Sequence, residues 1–262
     1  MTVTQRGPDR TRYMPPSLPL PLLRRQRLLD RLEGAERHRL TLVHAAAGYG
    51  KTTVLAQYAD LLRASGRRTA WLTLQRGDED PLVLFADLVG ALRRDTAEFG
   101  EQLTPFLDRG SRLERRLAQL AQALADELAP LGELIFFIDD HPSVRGGAPL
   151  ASFGNELVDL LPDNAHLVLA TRRTPQLGGL PRWRLGGSVL DISAAELAFT
   201  RPEAVELLRG EFGLDLPEHA IDAMYSRTGG WPAGLRLAAA FVSERGWEQL
   251  GEFQGGGAEL YA

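Results

Sequence analysis

The sequence predicts an α/β fold in which helices sandwich a parallel sheet, followed by a small all-helical domain. Up to about residue 195, short apolar runs alternate with segments whose apolar residues recur at helical spacing, which is typical of parallel strands joined by helices. After Thr200 the helical segments follow one another without an intervening strand pattern. We therefore expect an α/β domain over 21–195 and a helical, lid-like domain over 196–262.

The segment before the first predicted strand contributes little to a core. Residues 1–20 are polar and then proline-rich, which predicts a flexible, extended arm. The following stretch, "RRQRLLDRLEGA" over 24–35, predicts a short amphipathic helix that ends at Gly34.

Five short apolar runs are the predicted strands of the sheet. In chain order they read "RLTLVHA", "RTAWLTL", "LIFFIDD", "HLVLATR" and "SVLDIS". The third run is apolar until its two final acids, as expected for a strand that helices cover on both faces. Between the strands, helices are predicted from Thr52, from Pro81 at a first helical position, and over the leucines from Leu113 to Leu128.

The helical domain is predicted from its start and stop signals. "TRPEAVELLRGEFG" begins with a Thr200 cap, carries Glu203 three residues later and stops at Gly213. The segments "LPEHAIDAMYSRTGG" and "WPAGLRLAAAFVSER" follow as further helices.

Composition excludes several classes of function. The net charge of −4 gives no general attraction to nucleic acid or to an anionic membrane. Cysteine is absent, so disulfides and thiolate metal sites are excluded, and the five histidines show no paired metal-ligand spacing. The first residues lack the apolar run of a signal peptide, and no stretch approaches the roughly 18 apolar residues of a membrane span. We expect a cytoplasmic protein with no membrane partner.

The only lysine of the chain, Lys51, lies between the first predicted strand and the helix after it. The stretch "AAAGYGKT" from Ala45 to Thr52 fits the Walker A pattern G-x-x-x-x-G-K-[ST], with alanine in place of the first glycine. In such a loop the backbone amides wrap a polyphosphate, the lysine bridges the β and γ phosphates, and the Thr52 hydroxyl ligates Mg²⁺. The predicted nucleotide-binding residues here are Ala47, Gly48, Tyr49, Gly50, Lys51 and Thr52.

The alternative for this stretch is a glycine-rich turn whose lysine is merely solvated. On the phosphate-binding interpretation, we expect Lys51→Ala to remove one exposed charge and to abolish Mg-nucleotide affinity without unfolding the domain.

Two adjacent acids, Asp139 and Asp140, end the third predicted strand. A phosphate loop needs a carboxylate on a neighbouring strand end to hold Mg²⁺, and a second carboxylate can orient or deprotonate the attacking water. We assign the first role to Asp139 and the catalytic role to Asp140. Two acids after a strand also open turns, which is the alternative interpretation.

Two further stretches suggest contacts with a nucleotide. Arg172 lies at the end of the fourth predicted strand and would report the γ-phosphate if that strand lay between the two motif strands, with Arg173 as the alternate. A surface arginine is the competing interpretation. In "TGGWPAGL", Trp231 and Pro232 would line an apolar slot for adenine, or Pro232 simply begins a helix.

These stretches, in this order, resemble the STAND-class ATPases, and in particular the large ATP-binding LuxR-type transcriptional regulators. The resemblance covers about residues 16–262, and the combination of "AGYGKTT" with "GGWPAGL" is its most specific part. It implies an AAA-like P-loop NTPase fold and an ADP/ATP switch that self-associates in the ATP state. Inducer and DNA would act through domains that this chain does not contain.

The resemblance also implies roles for individual residues. Lys51, Thr52 and Thr53 would bind phosphate, Asp139 would hold Mg²⁺, and Arg172 would be the sensor arginine. Pro232 would touch adenine, while Arg24 and Arg25 would lie in the segment on the other side of the base. We predict an ATP/ADP-binding switch with slow Mg-dependent hydrolysis in a signal-responsive transcriptional regulator. The alternatives are a binding-only oligomerisation module and a small-molecule phosphotransferase.

Overall fold

The computed structural model describes residues 10–18, 22–75, 78, 80–94, 99–100, 103, 113–141 and 148–253, and for 10, 113–116, 140–141 and 148–149 it describes the backbone alone. The predicted segments that fall elsewhere in the chain lie outside the described residues.

The described strands form one parallel sheet in the order β2-β3-β4-β1-β5. Their bounds are β1 Leu40–His44, β2 Arg68–Thr73, β3 Leu134–His141, β4 Ala165–Thr171 and β5 Val189–Ser193. All five predicted strands are confirmed. Because the strands are parallel, their carboxyl ends lie at the same edge of the sheet, and β4 lies between β1 and β3.

Helices connect the strands and continue after β5. Their bounds are α1 Gln26–Leu32, α2 Lys51–Ala64, α3 Pro81–Leu92, α4 Leu113–Leu128, α5 Ala148–Leu160, α6 Leu180–Leu185, α7 Ala194–Leu197, α8 Arg201–Glu206, α9 Glu218–Thr228 and α10 Pro232–Arg245. The sequence analysis missed α5, although Leu150, Phe153, Leu157 and Val158 are buried at helical spacing. None of the described helices is long and apolar enough to cross a membrane.

The two faces of the sheet carry separate hydrophobic cores. Phe136 packs on the face covered by α3, α4 and α5, and its neighbour Phe137 packs on the face covered by α1 and α2. Successive side chains of a strand point to opposite faces, so a continuously apolar strand is what a sandwiched sheet requires. The predicted fold class is therefore confirmed.

A third core lies within the helices after β5. It includes Phe199, Leu207, Met224 and Leu235, and it also takes in Leu23 from the segment before α1. The division of the chain at residue 195 stays a prediction, since Leu23 joins the amino-terminal segment to this helical core.

The predicted flexible arm is anchored where the structure describes it. Arg10–Tyr13 forms a 3₁₀ turn. The Arg12 guanidinium pairs with the Asp78 carboxylate and lies 3.2 Å from that of Asp87, while the Tyr13 hydroxyl donates to Asp87 at 2.9 Å. Composition alone indicated an extended arm because it cannot show these distant partners. Asp78 is 66 residues after Arg12, and Asp87 is 74 residues after Tyr13.

Candidate functional site

The loop between β1 and α2 has the backbone geometry of an anion site. Gly48 and Gly50 adopt left-handed conformations, with φ of 78° and 75°. Gly50 immediately precedes the 14-residue helix α2, so the unpaired amides of the first helical turn are directed toward the loop. These are the dihedrals and the helix position that the Walker A interpretation requires.

Lys51 is the first residue of α2, and the loop curls around its ammonium group. The Nζ atom donates to the carbonyls of Ala45 at 2.7 Å and Ala46 at 3.0 Å. The residue is only 9% exposed, so the expectation of an exposed charge is wrong. A desolvated ammonium needs acceptors, and the loop carbonyls supply them. The side chain therefore helps to shape the loop that it would use to bind phosphate.

Thr52 and Asp139 come together across the sheet edge. The Thr52 hydroxyl donates to Asp139 Oδ1 at 3.1 Å, and Asp139 is 2% exposed at the end of β3. A hydroxyl beside a carboxylate suits Mg²⁺, which takes oxygen ligands and commonly uses only one or two from the protein. Among the described residues, no group of three or more His, Cys, Asp or Glu side chains could hold a metal ion. Thr52 and Asp139 therefore fit a magnesium ion whose remaining ligands include phosphate oxygens.

A bulge in β3 occurs at the two predicted acidic residues. Ile138 pairs with Leu169 of β4, but His141 pairs with Thr171, so Asp139 and Asp140 together oppose a single residue of β4. Such a bulge redirects side chains at a strand end and is common beside functional sites. No pattern in the sequence indicated this bulge. The side chain of Asp140 lies outside the described part, and its catalytic role stays a prediction.

The end of β4 occupies the place that the sensor interpretation requires. Thr171 is fully buried, and its Oγ1 accepts from the backbone N–H of Arg173 at 3.2 Å, which shapes the turn that follows the strand. Arg172 and Arg173 are exposed at that turn. Because β4 lies between β1 and β3, this turn lies at the edge that carries the phosphate loop and Asp139. The sensor role of Arg172 is still a prediction.

The turn before α10 contacts the phosphate loop directly, which the sequence analysis did not foresee. The indole Nε1 of Trp231 donates to the Ala47 carbonyl at 3.1 Å, and the Ala233 backbone N–H donates to the Gly48 carbonyl at 3.0 Å. A Cβ on Gly48 would lie 2.7 Å from the Ala233 Cβ. Because Gly48 has no side chain, the turn before α10 can pack closely against the loop. In the sequence, only the tryptophan of "GGWPAGL" hinted at this contact.

The other predicted base-binding residues are more dispersed. Pro232 is buried as the first residue of α10. Arg25 is buried, donates to the Leu197 carbonyl at 2.7 Å and lies 4.5 Å from the centre of the Phe199 ring. Burial lowers the pKa of the Arg25 guanidinium, partly offset by the Glu203 carboxylate. Arg25 therefore joins the segment before α1 to the start of the helical region.

Arg24 is not brought to the phosphate loop. It lines a cleft together with Ser65 and Arg67, which follow the carboxyl end of α2, whereas the loop precedes the amino end of that helix. Of the remaining predicted residues, Tyr49 packs against the core on the α1 and α2 face, and Thr53 lies in the first turn of α2. The base-binding roles of both arginines stay predictions.

Comparison with curated proteins shows two kinds of relative. The chain is 33% identical over 232 residues to the serine/threonine-protein kinase PknK of Mycobacterium tuberculosis, covering 87% of this chain and 20% of that protein. It is 30% identical over 219 residues to the HTH-type transcriptional regulator MalT of Klebsiella pneumoniae, covering 82% of this chain and 23% of that protein. The chain thus spans about a fifth of the length of the curated relatives it matches.

Among solved structures, the Walker-type ATPase PABY2304 of Pyrococcus abyssi matches with a TM-score of 0.52, over 88% of this chain and 71% of that chain, at 18% identity. This chain has the P-loop NTPase fold. No family model matches the sequence. The relationship to MalT confirms the resemblance to STAND-type regulators that the motifs indicated. The matched region is thus common to a protein named a transcriptional regulator and to one named a protein kinase.

Proposed function

We propose that this chain is an ATP/ADP-binding switch module that uses Mg²⁺, hydrolyses ATP slowly and serves a signal-responsive transcriptional regulator. One observation carries the proposal. The Thr52 hydroxyl lies 3.1 Å from the buried Asp139 carboxylate, at the start of a helix whose preceding loop is wrapped around the ammonium of Lys51. A polyphosphate with a divalent ion is the ligand that satisfies this combination of amides, ammonium, hydroxyl and carboxylate.

Each residue has a separate task in the proposal. The amides of 47–53 hold the phosphates, and the Lys51 ammonium, with three N–H donors, offsets their charge. Thr52 and Asp139 would hold Mg²⁺, which when bound neutralises charge on the β and γ phosphates. Asp140 would orient the attacking water, and Arg172 would bind the terminal phosphate.

The regulatory part of the proposal follows from the relatives. One is named a protein kinase and the other a transcriptional regulator, so their outputs differ while both match this region. A region common to proteins of different output is best explained as a shared regulatory module. Contacts between the α/β and helical regions offer a route by which the bound nucleotide could change their arrangement and promote self-association. We place the regulator in the cytoplasm.

The proposal is tested by calorimetric titration of the purified chain with Mg-ATP and Mg-ADP. Lys51→Ala should weaken both by about tenfold to a hundredfold, because a hydrogen bond to a charged group contributes about 1.5–3 kcal/mol. The matched control is Arg63→Ala, which removes an exposed cation from the last turn of the same helix. Circular dichroism must show that both variants stay folded. Absence of nucleotide binding by the wild type would contradict the proposal.

Hydrolysis is tested separately from binding. Steady-state phosphate release should be slow in the wild type and lower still in Asp140→Asn, since the amide cannot accept a proton from water. Equal release at background by the two proteins would leave nucleotide binding without turnover as the function.

A further inference from the structure

Four consecutive backbone carbonyls of the phosphate loop are tied by donors from outside the loop. Lys51 Nζ binds the carbonyls of Ala45 and Ala46. The Ala47 carbonyl accepts from the Trp231 indole, and the Gly48 carbonyl accepts from the Ala233 backbone N–H. Two of these four hydrogen bonds come from Lys51 of α2 and two from the turn that begins α10, where Trp231 is 184 residues from its partner Ala47.

Fixing these carbonyls also fixes the amides that would bind phosphate. A peptide unit is planar, and its C=O and its N–H point in opposite directions. The contact of Trp231 with the Ala47 carbonyl therefore sets the direction of the Gly48 N–H. The contact of Ala233 with the Gly48 carbonyl likewise sets the direction of the Tyr49 N–H. An anion nest requires such consecutive N–H groups to converge on one point.

The position of the indole leaves it little freedom. Trp231 is 2% exposed. A Cβ added to Gly48 would lie 2.8 Å from Nε1, and one added to Gly234 would lie 2.6 Å from Cε3, so the ring fits between two glycines that cannot be enlarged without displacing it. The ring edge that carries the N–H is thus held against the loop by packing on both sides.

We propose that Trp231 is a positioning residue for the phosphate loop, an inference that rests on the proposed nucleotide-binding function. Through the Ala47 carbonyl, the indole N–H orients loop amides toward the phosphates. Trp231 thereby couples phosphate binding to the docking of the helical region, because the loop is complete only when the turn before α10 is in place. This role differs from the predicted one, in which Trp231 lines a slot for adenine.

The experiment compares Trp231→Phe with Trp183→Phe in the full chain. Phenylalanine keeps an aromatic ring but lacks the N–H. Trp183 is a matched control, since it is also buried and its indole donates to Asp159 Oδ1 at 2.6 Å, in a contact between α5 and α6. Calorimetric titrations use two probes with Mg²⁺, namely ATP and inorganic tripolyphosphate, which has no base.

Trp231→Phe should weaken both probes by a similar factor of about tenfold, since the amides that meet the phosphates lose their orientation. Trp183→Phe should bind both probes as the wild type does. A loss confined to ATP would overturn the inference and assign Trp231 to the base. Unchanged affinity for both probes would also overturn it. If the wild type binds neither ATP nor tripolyphosphate, the proposed function itself is overturned.

A second variant keeps the inference testable if Trp231→Phe does not fold. Gly48→Ala attacks the same contact from the loop side, because its Cβ would meet the Ala233 Cβ at 2.7 Å and the indole at 2.8 Å, and it also strains the left-handed backbone at φ 78°. It should weaken tripolyphosphate and ATP together by at least about tenfold. Affinity equal to the wild type for both would show that the contact does not position the loop.

Discussion

Lys51 has two roles, and the sequence predicted only one of them. Its place in the Walker A pattern predicted a phosphate ligand, and its identity as the only lysine strengthened that prediction. The structure adds that its ammonium organises the loop through the carbonyls of Ala45 and Ala46. Substitution of Lys51 therefore removes a ligand and a structural contact together, which is why its test includes a measurement of folding.

Arg172 is the residue whose predicted role depends most on the order of the strands. The turn after β4 lies at the same edge of the sheet as the phosphate loop and Asp139, which is where the sensor prediction needs a cation. Arg172→Ala should weaken ATP binding by about tenfold and ADP binding much less, because only ATP carries the γ-phosphate. Titration of both nucleotides measures the difference. Arg63→Ala is the control and Arg173→Ala tests the alternate, while equal losses for ATP and ADP in Arg172→Ala would place that side chain away from the terminal phosphate.

Helix α8 begins at a capping box whose glutamate also contacts residues near α1. The Thr200 side chain accepts from the Glu203 backbone N–H, and the Thr200 backbone N–H donates to the Glu203 carboxylate at 2.8 Å, as the predicted capping box requires. The same carboxylate also meets Arg27 at 3.2 Å and Arg25 at 3.5 Å, both in the segment that leads into and forms α1. The chain then continues as a π-helical turn over Leu207–Glu211 and reaches the left-handed Gly213.

The charge of Glu203 predicts a pH dependence of stability. Burial alone would raise its pKa, but the Thr200 amide and the Arg25 and Arg27 guanidinium groups outweigh burial and hold the pKa below its ordinary value. The carboxylate therefore stabilises the fold above its unfolded pKa of about 4.3, and this stability is lost as the pH falls through the lower folded value.

Glu203→Gln should lower the free energy of unfolding by about 1 kcal/mol at pH 7, and the difference from wild type should shrink between about pH 5 and pH 3. Urea unfolding at several pH values measures this, with Glu206→Gln on the exposed side of the same helix as the control. A difference that stays constant down to pH 3 would contradict the assigned charge effect.

At the scale of the whole molecule, the segment before α1 holds the α/β and helical regions together. The Leu23 side chain enters the helical core, its backbone N–H donates to the Glu211 carboxylate, and its carbonyl accepts from Gln57 of α2 at 3.2 Å. Arg25 adds contacts with the carbonyls of Leu197 and Ala198 at 2.7 and 2.9 Å. If the helical region moves relative to the α/β region, these contacts must either break or move with it.

Arg25→Ala should lower the free energy of unfolding by about 2–4 kcal/mol, because the Leu197 carbonyl loses the charged donor Arg25, while the Ala198 carbonyl and the half-buried Glu203 carboxylate keep only Arg27 as a charged partner. Arg25→Lys should restore only part, since one ammonium cannot reproduce the forked contacts and the stacking on Phe199. Arg24→Ala removes an exposed neighbour and is the matched control. Urea unfolding measures all three variants, and equal stability of Arg25→Ala and Arg24→Ala would show that Arg25 does not hold the α/β and helical regions together.

The sequence by itself determined the strands, most of the helices, the capping box and the Walker A loop, because these depend on periodicity, caps and spacings within about twenty residues. Only the tertiary structure decided the strand order, the bulge at Asp139, the anchoring of Arg12 and the contact of Trp231 with the loop. Each of these joins residues far apart in the chain, so it depends on how packed elements align. No local pattern encodes that alignment.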